Sequence, residues 1–330
     1  MTAALEAALE QIPEARDTSP VKVLFLAGLG RSGSTIIANV LGQHPHAVSV
    51  GEVVHLWTRG LADNELCGCG QPLQSCDFWS EVGRVAFGSW DALDLDALQE
   101  LGRSIDRNRY IPLMLAPRLR RGRLEAQRRY TDVLTRLYRA MREVSGCEVI
   151  VDSTKHASYG YLLSTMDSID LRVAHLVRES QGVAHSWAKI VARPEVTSGS
   201  DDMPRYSPTR TSGKWWTYNA LLHGMTPLRT PRRLVRYEDV ITEPRTAFRD
   251  LADLGGLDPA PLLDLVGDDW VELAPTHTVA GNPSRFRHGR VDLRLDREWV
   301  EKMPANDRRL VTALTWPMAR AYGYRARRTP

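Results

Sequence analysis

Val21 to Thr35, VKVLFLAGLGRSGST, constrains this chain more than any other stretch. Val21 to Ala27 is a short apolar run with β-branched residues, the pattern of a strand buried on both faces of a parallel sheet. Gly28, Gly30 and Gly33 follow, and Thr35-Ile-Ile-Ala-Asn-Val-Leu reads as a helix running to about Gln43. Strand, glycine-rich turn and helix together form a phosphate cradle: glycines let backbone N–H groups approach an anion, and a helix N-terminus adds unpaired donors and a favourable dipole. Gly28-x4-Gly33-Ser34-Thr35 nearly spells the nucleotide-binding pattern GxxxxGK[ST], but Ser34 holds the lysine position and Arg31 supplies the cation three residues earlier. An ordinary strand-to-helix turn also uses glycine. The coincidence of three glycines, an arginine and hydroxyl side chains favours an anion site.

The chain has 330 residues, enough for one large α/β domain, and we read residues 1–330 as one domain. Net charge is only +3, so no nucleic-acid partner is expected. No run of 18 apolar residues occurs, so no membrane partner is expected. Residues 1–20 open as an acidic helical segment rather than a signal peptide, which makes the cytoplasm the expected compartment. Basic residues are overwhelmingly arginine; the lysines are Lys22, Lys155, Lys189, Lys214 and Lys302, which makes a lysine at a chemical position informative. Nothing in the sequence specifies an oligomeric state.

Further strands are expected at Ala47–Val50, Cys147–Val151, Leu171–Val177 and Arg233–Tyr237, with helices between them. The fold class is therefore α/β, a mostly parallel central sheet flanked by helices. Gly51-Glu52 ends the second strand, where open α/β sheets place ligands; a first-turn helix acid is the equal alternative for Glu52. Asp152-Ser153-Thr154-Lys155 ends the third. Asp152 resembles a magnesium-holding acid, and Lys155 a cation above the sheet edge. Arg178 follows the fourth strand, eight residues before Ser186, so a helix there brings both to one anion. Arg118 to Arg129 holds six arginines and reads as a solvated helix face, because Tyr130, Val133, Leu134, Leu137, Tyr138 and Met141 form the apolar stripe that follows. Residues 193–212 read as a long exposed loop, and Lys214–Leu228 as a helix whose Trp215 and Trp216 shape an acceptor pocket or the core. His277 to Trp299 reads as an arginine-dense loop able to fold over an anion. In the C-terminal helix, about Asn306 to Ala321, Leu310, Leu314 and Met318 are expected to pack. Cys67, Cys69 and Cys76 form C-x-C-x6-C. Buried thiols are the first expectation; a zinc site completed by His55 or Cys147, or a Cys67–Cys76 disulfide, is the alternative.

The chain resembles the PAPS-dependent sulfotransferases, a P-loop-like α/β fold. The resemblance rests on GLGRSGST at Gly28–Thr35, VDSTK at Val151–Lys155, LVRESQGVAHSW at Leu176–Trp187, VRYEDV at Val235–Val240 and GNPSRFRHG at Gly281–Gly289. It implies transfer of the sulfuryl group of PAPS to a hydroxyl of a small-molecule acceptor (an alcohol, phenol or sugar), releasing PAP and requiring no metal. It implies that Gly30, Arg31, Ser32, Gly33, Ser34 and Thr35 hold the 5′-phosphosulfate, and Arg178 and Ser186 the 3′-phosphate. Asn282, Arg285, Arg287 and Gly289 lie in its C-terminal nucleotide loop, and Tyr237 lines the nucleotide site. The GE pair is similar to that of the tyrosylprotein sulfotransferase branch, which implies Glu52 as catalytic base and Lys155 as transition-state lysine. Variable loops at about 60–90 and 193–212 face the acceptor. His55 is the rival base and His277 a weaker one. A P-loop kinase or NTPase using Asp152, or a non-catalytic nucleotide-binding module, is the competing reading.

Overall fold

The first strand, β1 (Val21–Gly28), is central in a five-stranded sheet. With β2 (Ala47–Gly51), β3 (Val149–Lys155), β4 (Ile169–Val177) and β5 (Arg232–Arg236) it forms the order β2-β3-β1-β4-β5, every pairing parallel. The computed structural model describes residues 17–116, 121–192, 202–228 and 230–324. The acidic segment up to residue 16, Arg118 and Arg120 of the arginine run, and loop residues 193–201 lie outside these.

The unbroken apolar run of β1 follows from its place. Val21, Val23, Phe25 and Ala27 face one layer, and Leu24 and Leu26 the other. The first layer is built on the helix Arg121–Ser145, whose stripe Tyr130, Val133, Leu134, Leu137, Tyr138 and Met141 is fully buried as its spacing predicts. The second contains the helices Ser34–Leu41 and Pro244–Gly255. Leu24 and Leu26 are entirely buried, and truncating either to alanine would cost about 2–5 kcal/mol. Because β1 lies between β3 and β4, the chain leaves it in opposite directions on its two sides. Its carboxyl end is the switch point where such sheets bind ligands.

Several elements differ from expectation. The loop thought to extend to Ser212 ends earlier: a helix spans Pro208–His223, not Lys214–Leu228. Ser207 caps it by accepting from the Arg210 N–H, and Pro208 starts its first turn, while its exposed early residues carry no apolar period. The third strand runs on through Lys155. Part of the expected arginine-rich loop is paired: β6 (Trp270–Leu273) and β7 (Gly289–Asp292) form an antiparallel hairpin. In the C-terminal helix Ala305–Ala321, the buried residues are Val311 and Thr315, whereas Leu310 and Leu314 are exposed. The packed stripe is one residue out of phase with the leucines. Trp215 is core and donates its Nε1–H to the Arg178 carbonyl at 3.0 Å, while Trp216 is exposed. Neither tryptophan lines the cleft described below.

His175 on β4 is completely buried, its Nε2 2.8 Å from Asn219 Oδ1, and burial pushes its pKa down to about 3. The imidazole is neutral in the folded chain but binds a proton in the unfolded one below about pH 6.5. Stability is therefore present in full above that pH and lost as pH falls toward the folded value. His175 alone should cost about 2 kcal/mol between about pH 7 and pH 5. Urea unfolding at the two pH values should show that loss, and His175→Gln should flatten it; an equal slope in the variant would refute the assignment.

Candidate active site

The turn after β1 is locked by close approaches. Gly28 has φ 145°, and a Cβ there would run into the Leu176 carbonyl on β4. Gly33, at φ 83°, is the N-cap of the Ser34–Leu41 helix, and a Cβ there would come within 2.7 Å of the Tyr237 ring. Only glycine satisfies both demands. No side chain caps this helix, so its first-turn N–H groups are left to an outside acceptor. Ser34 and Thr35 line the cleft beyond it, together with Gly30 and Gly33. Ser32 does not: its Oγ donates back to the Leu29 carbonyl at 2.8 Å and rigidifies the turn.

Arg31 adopts φ 77°, a left-handed conformation that costs a non-glycine residue about 1–3 kcal/mol. Its guanidinium lies 5.1 Å from the Trp187 ring, with Nη2 3.1 Å from Met203 Sδ. Its buried Nε has no hydrogen-bond partner. Burial, with Arg178 nearby, lowers its pKa, and Glu52 opposes the shift. A desolvated cation with an unused donor fits an incoming anion.

Opposite stands Glu52, just past β2. Its Oε1 accepts from Lys155 Nζ and its Oε2 lies 3.5 Å from His55 Nε2. Lys155 also donates to the Ser153 carbonyl at 3.0 Å and has φ 71°. The backbone N–H of Glu52 donates to the Val279 carbonyl at 2.8 Å, so the segment after β6 fixes its position. Burial pushes the Glu52 carboxyl up, yet Lys155, then His55 and Arg59, holds it below the usual carboxylate range. Burial drives His55 down to about 4 against the pull of Glu52, which leaves its ring neutral near pH 7. His156 lies half-buried beside it, ring centroids 5.9 Å apart.

These groups meet in a cleft of about 630 Å³. Arg178 enters from the end of β4. Its guanidinium lies 4.4 Å from the Tyr237 ring, Nη1 donates to the Arg31 carbonyl at 3.1 Å, and Nη2 donates to Asp296 Oδ2 at 2.9 Å. Ser186, Tyr237 and Asn282 complete that wall. The structure does not bring Arg285, Arg287 or Gly289 into it. Arg285 is 1% exposed and donates to the Leu66 carbonyl at 2.7 Å, tying the cysteine-bearing loop to the core. Arg287 is exposed and lines an adjoining cavity of about 200 Å³ that shares Tyr237 and Ser284 with the cleft. Gly289 begins β7. A separate cavity of about 660 Å³ against the C-terminal helix contains none of Arg31, Lys155 or Arg178.

Asp152 lies outside the cleft lining. It is fully buried, accepts from the Tyr138 hydroxyl at 2.5 Å and from the Thr154 N–H at 2.8 Å, and burial raises its pKa to about 6. It organises the strand that carries Lys155, as expected of a structural acid.

Among solved structures, the chain is similar to the sulfotransferase domain from the Synechococcus PCC 7002 olefin synthase. Identity is 19% and the TM-score 0.54, over 96% of this chain and 100% of that one. It is also similar to the sulfotransferase domain from the curacin biosynthetic pathway, at 16% identity and a TM-score of 0.52, over 94% of this chain and 100% of that one. The chain has the sulfotransferase fold. No family model matches it, and no curated protein matches it in sequence. Among the described residues, no helix is long and apolar enough to cross a membrane.

On this sulfotransferase fold the cleft rim carries residues that sequence reasoning missed. Trp187 and Tyr206 pack with centroids 4.7 Å apart, and Lys214, Tyr218 and His156 line the same side. Trp187 follows Ser186 directly, and His156 follows Lys155, so adjacency was the available signal. Asp296, the partner of Arg178, is 118 residues away in sequence and gave none. His277 lies outside the cleft, with its Nδ1 3.3 Å from Cys76 Sγ. None of the four cysteines is in a disulfide, so the Cys67–Cys76 bridge is not formed.

The Lys155 charge is what keeps Glu52 ionised in a buried place. Lys155→Met should therefore move the Glu52 titration upward, because burial then acts unopposed by its main counter-charge. NMR of carboxyl-labelled glutamate reads this directly; an unmoved titration would show that another group sets the charge.

Proposed function

We propose that this protein is a sulfotransferase that moves the sulfuryl group of PAPS to a hydroxyl of a small-molecule acceptor and releases PAP. The observation that carries the reading is the convergence, on one cleft of a sulfotransferase fold, of an uncapped glycine-bounded helix start, Arg31 and the Glu52–Lys155 pair. PAPS, as co-substrate, supplies the sulfuryl group. The loop N–H groups from Gly30 to Thr35, with Arg31, hold the 5′-phosphosulfate, and Arg31 and Lys155 neutralise the charge that grows on the leaving phosphate oxygen. Glu52 takes the proton of the acceptor hydroxyl, and its loss of negative charge frees the Lys155 ammonium to face the leaving oxygen. His55, neutral and hydrogen-bond competent, orients Glu52 rather than replacing it. Arg178 and Ser186 hold the 3′-phosphate, which takes over the place of the Asp296 carboxylate on Arg178. The aromatic rim of Trp187, Tyr206 and Tyr218 favours a ring-bearing or apolar acceptor.

Two experiments test this. Glu52→Gln should lower kcat by ~10²–10⁴-fold with labelled PAPS and a phenolic acceptor panel, leaving the calorimetric Kd for PAP close to wild type. Retained turnover would transfer the base role to His55. Arg178→Ala should weaken PAP at least ~10-fold, one charge-assisted hydrogen bond, and leave adenosine 5′-phosphosulfate nearly unaffected. Equal losses for both ligands would remove Arg178 from the 3′-phosphate site. Preference of the wild-type chain for magnesium-ATP over PAP would overturn the whole reading.

A further inference from the structure

The C-x-C-x6-C run does not end in loose thiols. Cys67, Cys69, Cys76 and His277 present their Sγ and ring nitrogen atoms within 4.8 Å of one another. Cys69 Sγ lies 3.7 Å from Cys76 Sγ, and Cys76 Sγ lies 3.3 Å from His277 Nδ1. A tetrahedral zinc with Zn–S about 2.3 Å and Zn–N about 2.0 Å requires S···S edges of about 3.8 Å and S···N edges of about 3.5 Å. Both distances in the cluster are close to that tetrahedron's edges. Neither residue expected to complete a site belongs to it: His55 lies against Glu52, and Cys147 lies near Pro45 and Ser145.

The surrounding backbone is built to hold four ligands at this spacing. Cys67 and Cys69 sit on a tight turn: the Cys67 N–H donates to the Gln71 carbonyl and the Gly70 N–H to the Cys67 carbonyl, both at 2.8 Å, with Gly70 at φ 88°. Between them Gly68 runs so close to the 276–278 segment that its N–H donates to the Thr278 carbonyl at 2.9 Å. A Cβ at Gly68 would meet the Thr276 carbonyl oxygen at 2.6 Å. Cys76 is the N-cap of the helix Asp77–Phe87, where the dipole favours a thiolate. The His277 ring stacks on Phe78 at 5.1 Å, and the Trp79 indole donates to the His277 carbonyl at 2.8 Å. Cys67 and Cys76 are buried, and Cys69 and His277 half-buried.

We propose that Cys67, Cys69, Cys76 and His277 form a closed, four-ligand zinc site with a structural role. Three thiolates and one imidazole are a soft, tetrahedral donor set, which selects zinc over hard cations. Binding displaces the remaining thiol protons to solvent and changes no oxidation state. The site pins residues 276–279 to the loop at 65–76. Val279 accepts the Glu52 N–H, and Gly281, Asn282 and Ser284 continue into the cleft wall, so the metal would position the base from outside the cleft. The proposal stands independently of the reaction assigned above.

The test is elemental analysis of the full chain produced with zinc supplied. About one zinc per chain is expected, with cobalt substitution giving the intense visible bands of tetrahedral thiolate coordination. His277→Gln should weaken zinc at least ~10-fold in chelator competition, whereas His277→Cys, which keeps four ligands, should retain it and stay folded by circular dichroism. Folded wild-type protein without metal, whose thiols react equally fast with and without added zinc, would overturn the site. So would stoichiometric iron or copper in place of zinc, or a Cys69–Cys76 disulfide in protein isolated without reductant.

Discussion

The architecture of the cleft depends on one buried ion pair. Glu52 and Lys155 leave the carboxyl ends of the neighbouring strands β2 and β3, and their side chains are only 12% and 14% exposed. Neither charge is tolerable there alone. Desolvating one ion costs several kcal/mol, and deleting its partner in a buried pair typically destabilises by ~3–5 kcal/mol. Gly51 pairs with Asp152, so Glu52 leaves β2 beside the last stretch of β3, Ser153 to Lys155, and the long lysine side chain reaches back to it. Everything placed around the pair follows: His55 against the second carboxylate oxygen, Val279 under the Glu52 amide, and Arg31 across the cleft.

Much of this was legible in the sequence, for a physical reason. A central parallel strand is buried on both faces, so it must read as an unbroken apolar run, and the residues just beyond such runs fall on one sheet edge. Glu52, Lys155, Arg178 and the glycine turn could thus be grouped without knowing the strand order. What could not be read were contacts fixed by distant chain. The burial of Arg285 is decided by the Leu66 carbonyl, 219 residues away, so an arginine that looks like an anion ligand is a structural tie. The C-terminal helix buries Val311 and Thr315 beside two exposed leucines, because the packing partner rather than hydrophobicity sets its phase. His277 was weighed only as a base, since nothing local joins it to cysteines some 200 residues earlier.

The two sides of the cleft are stabilised differently. The glycine-turn side belongs to the main sheet and is fixed by β1, which is buried on both faces. The side formed by residues 276–284 owes little to the sheet beyond the Gly51–Val279 bridge. It joins the core through Val279 and Ala280 and is further tied by the Trp79 indole on the His277 carbonyl, the Gly68 amide on Thr278 and the cysteine-bearing turn.

Among the described residues, four that are not glycine have positive φ: Arg31, Asn64, Lys155 and Ala280. Two of these, Arg31 and Lys155, are cations that face the cleft. Each occupies a backbone conformation in which glycine would be more comfortable, and each brings a charge that glycine lacks. The chain therefore places two of its cleft charges at positions where its backbone is strained. At 31 selection for stability alone would drift toward glycine and lose a cleft charge; at 155 the same change would strand the Glu52 carboxylate, so there the ion pair itself holds the unfavourable torsion in place.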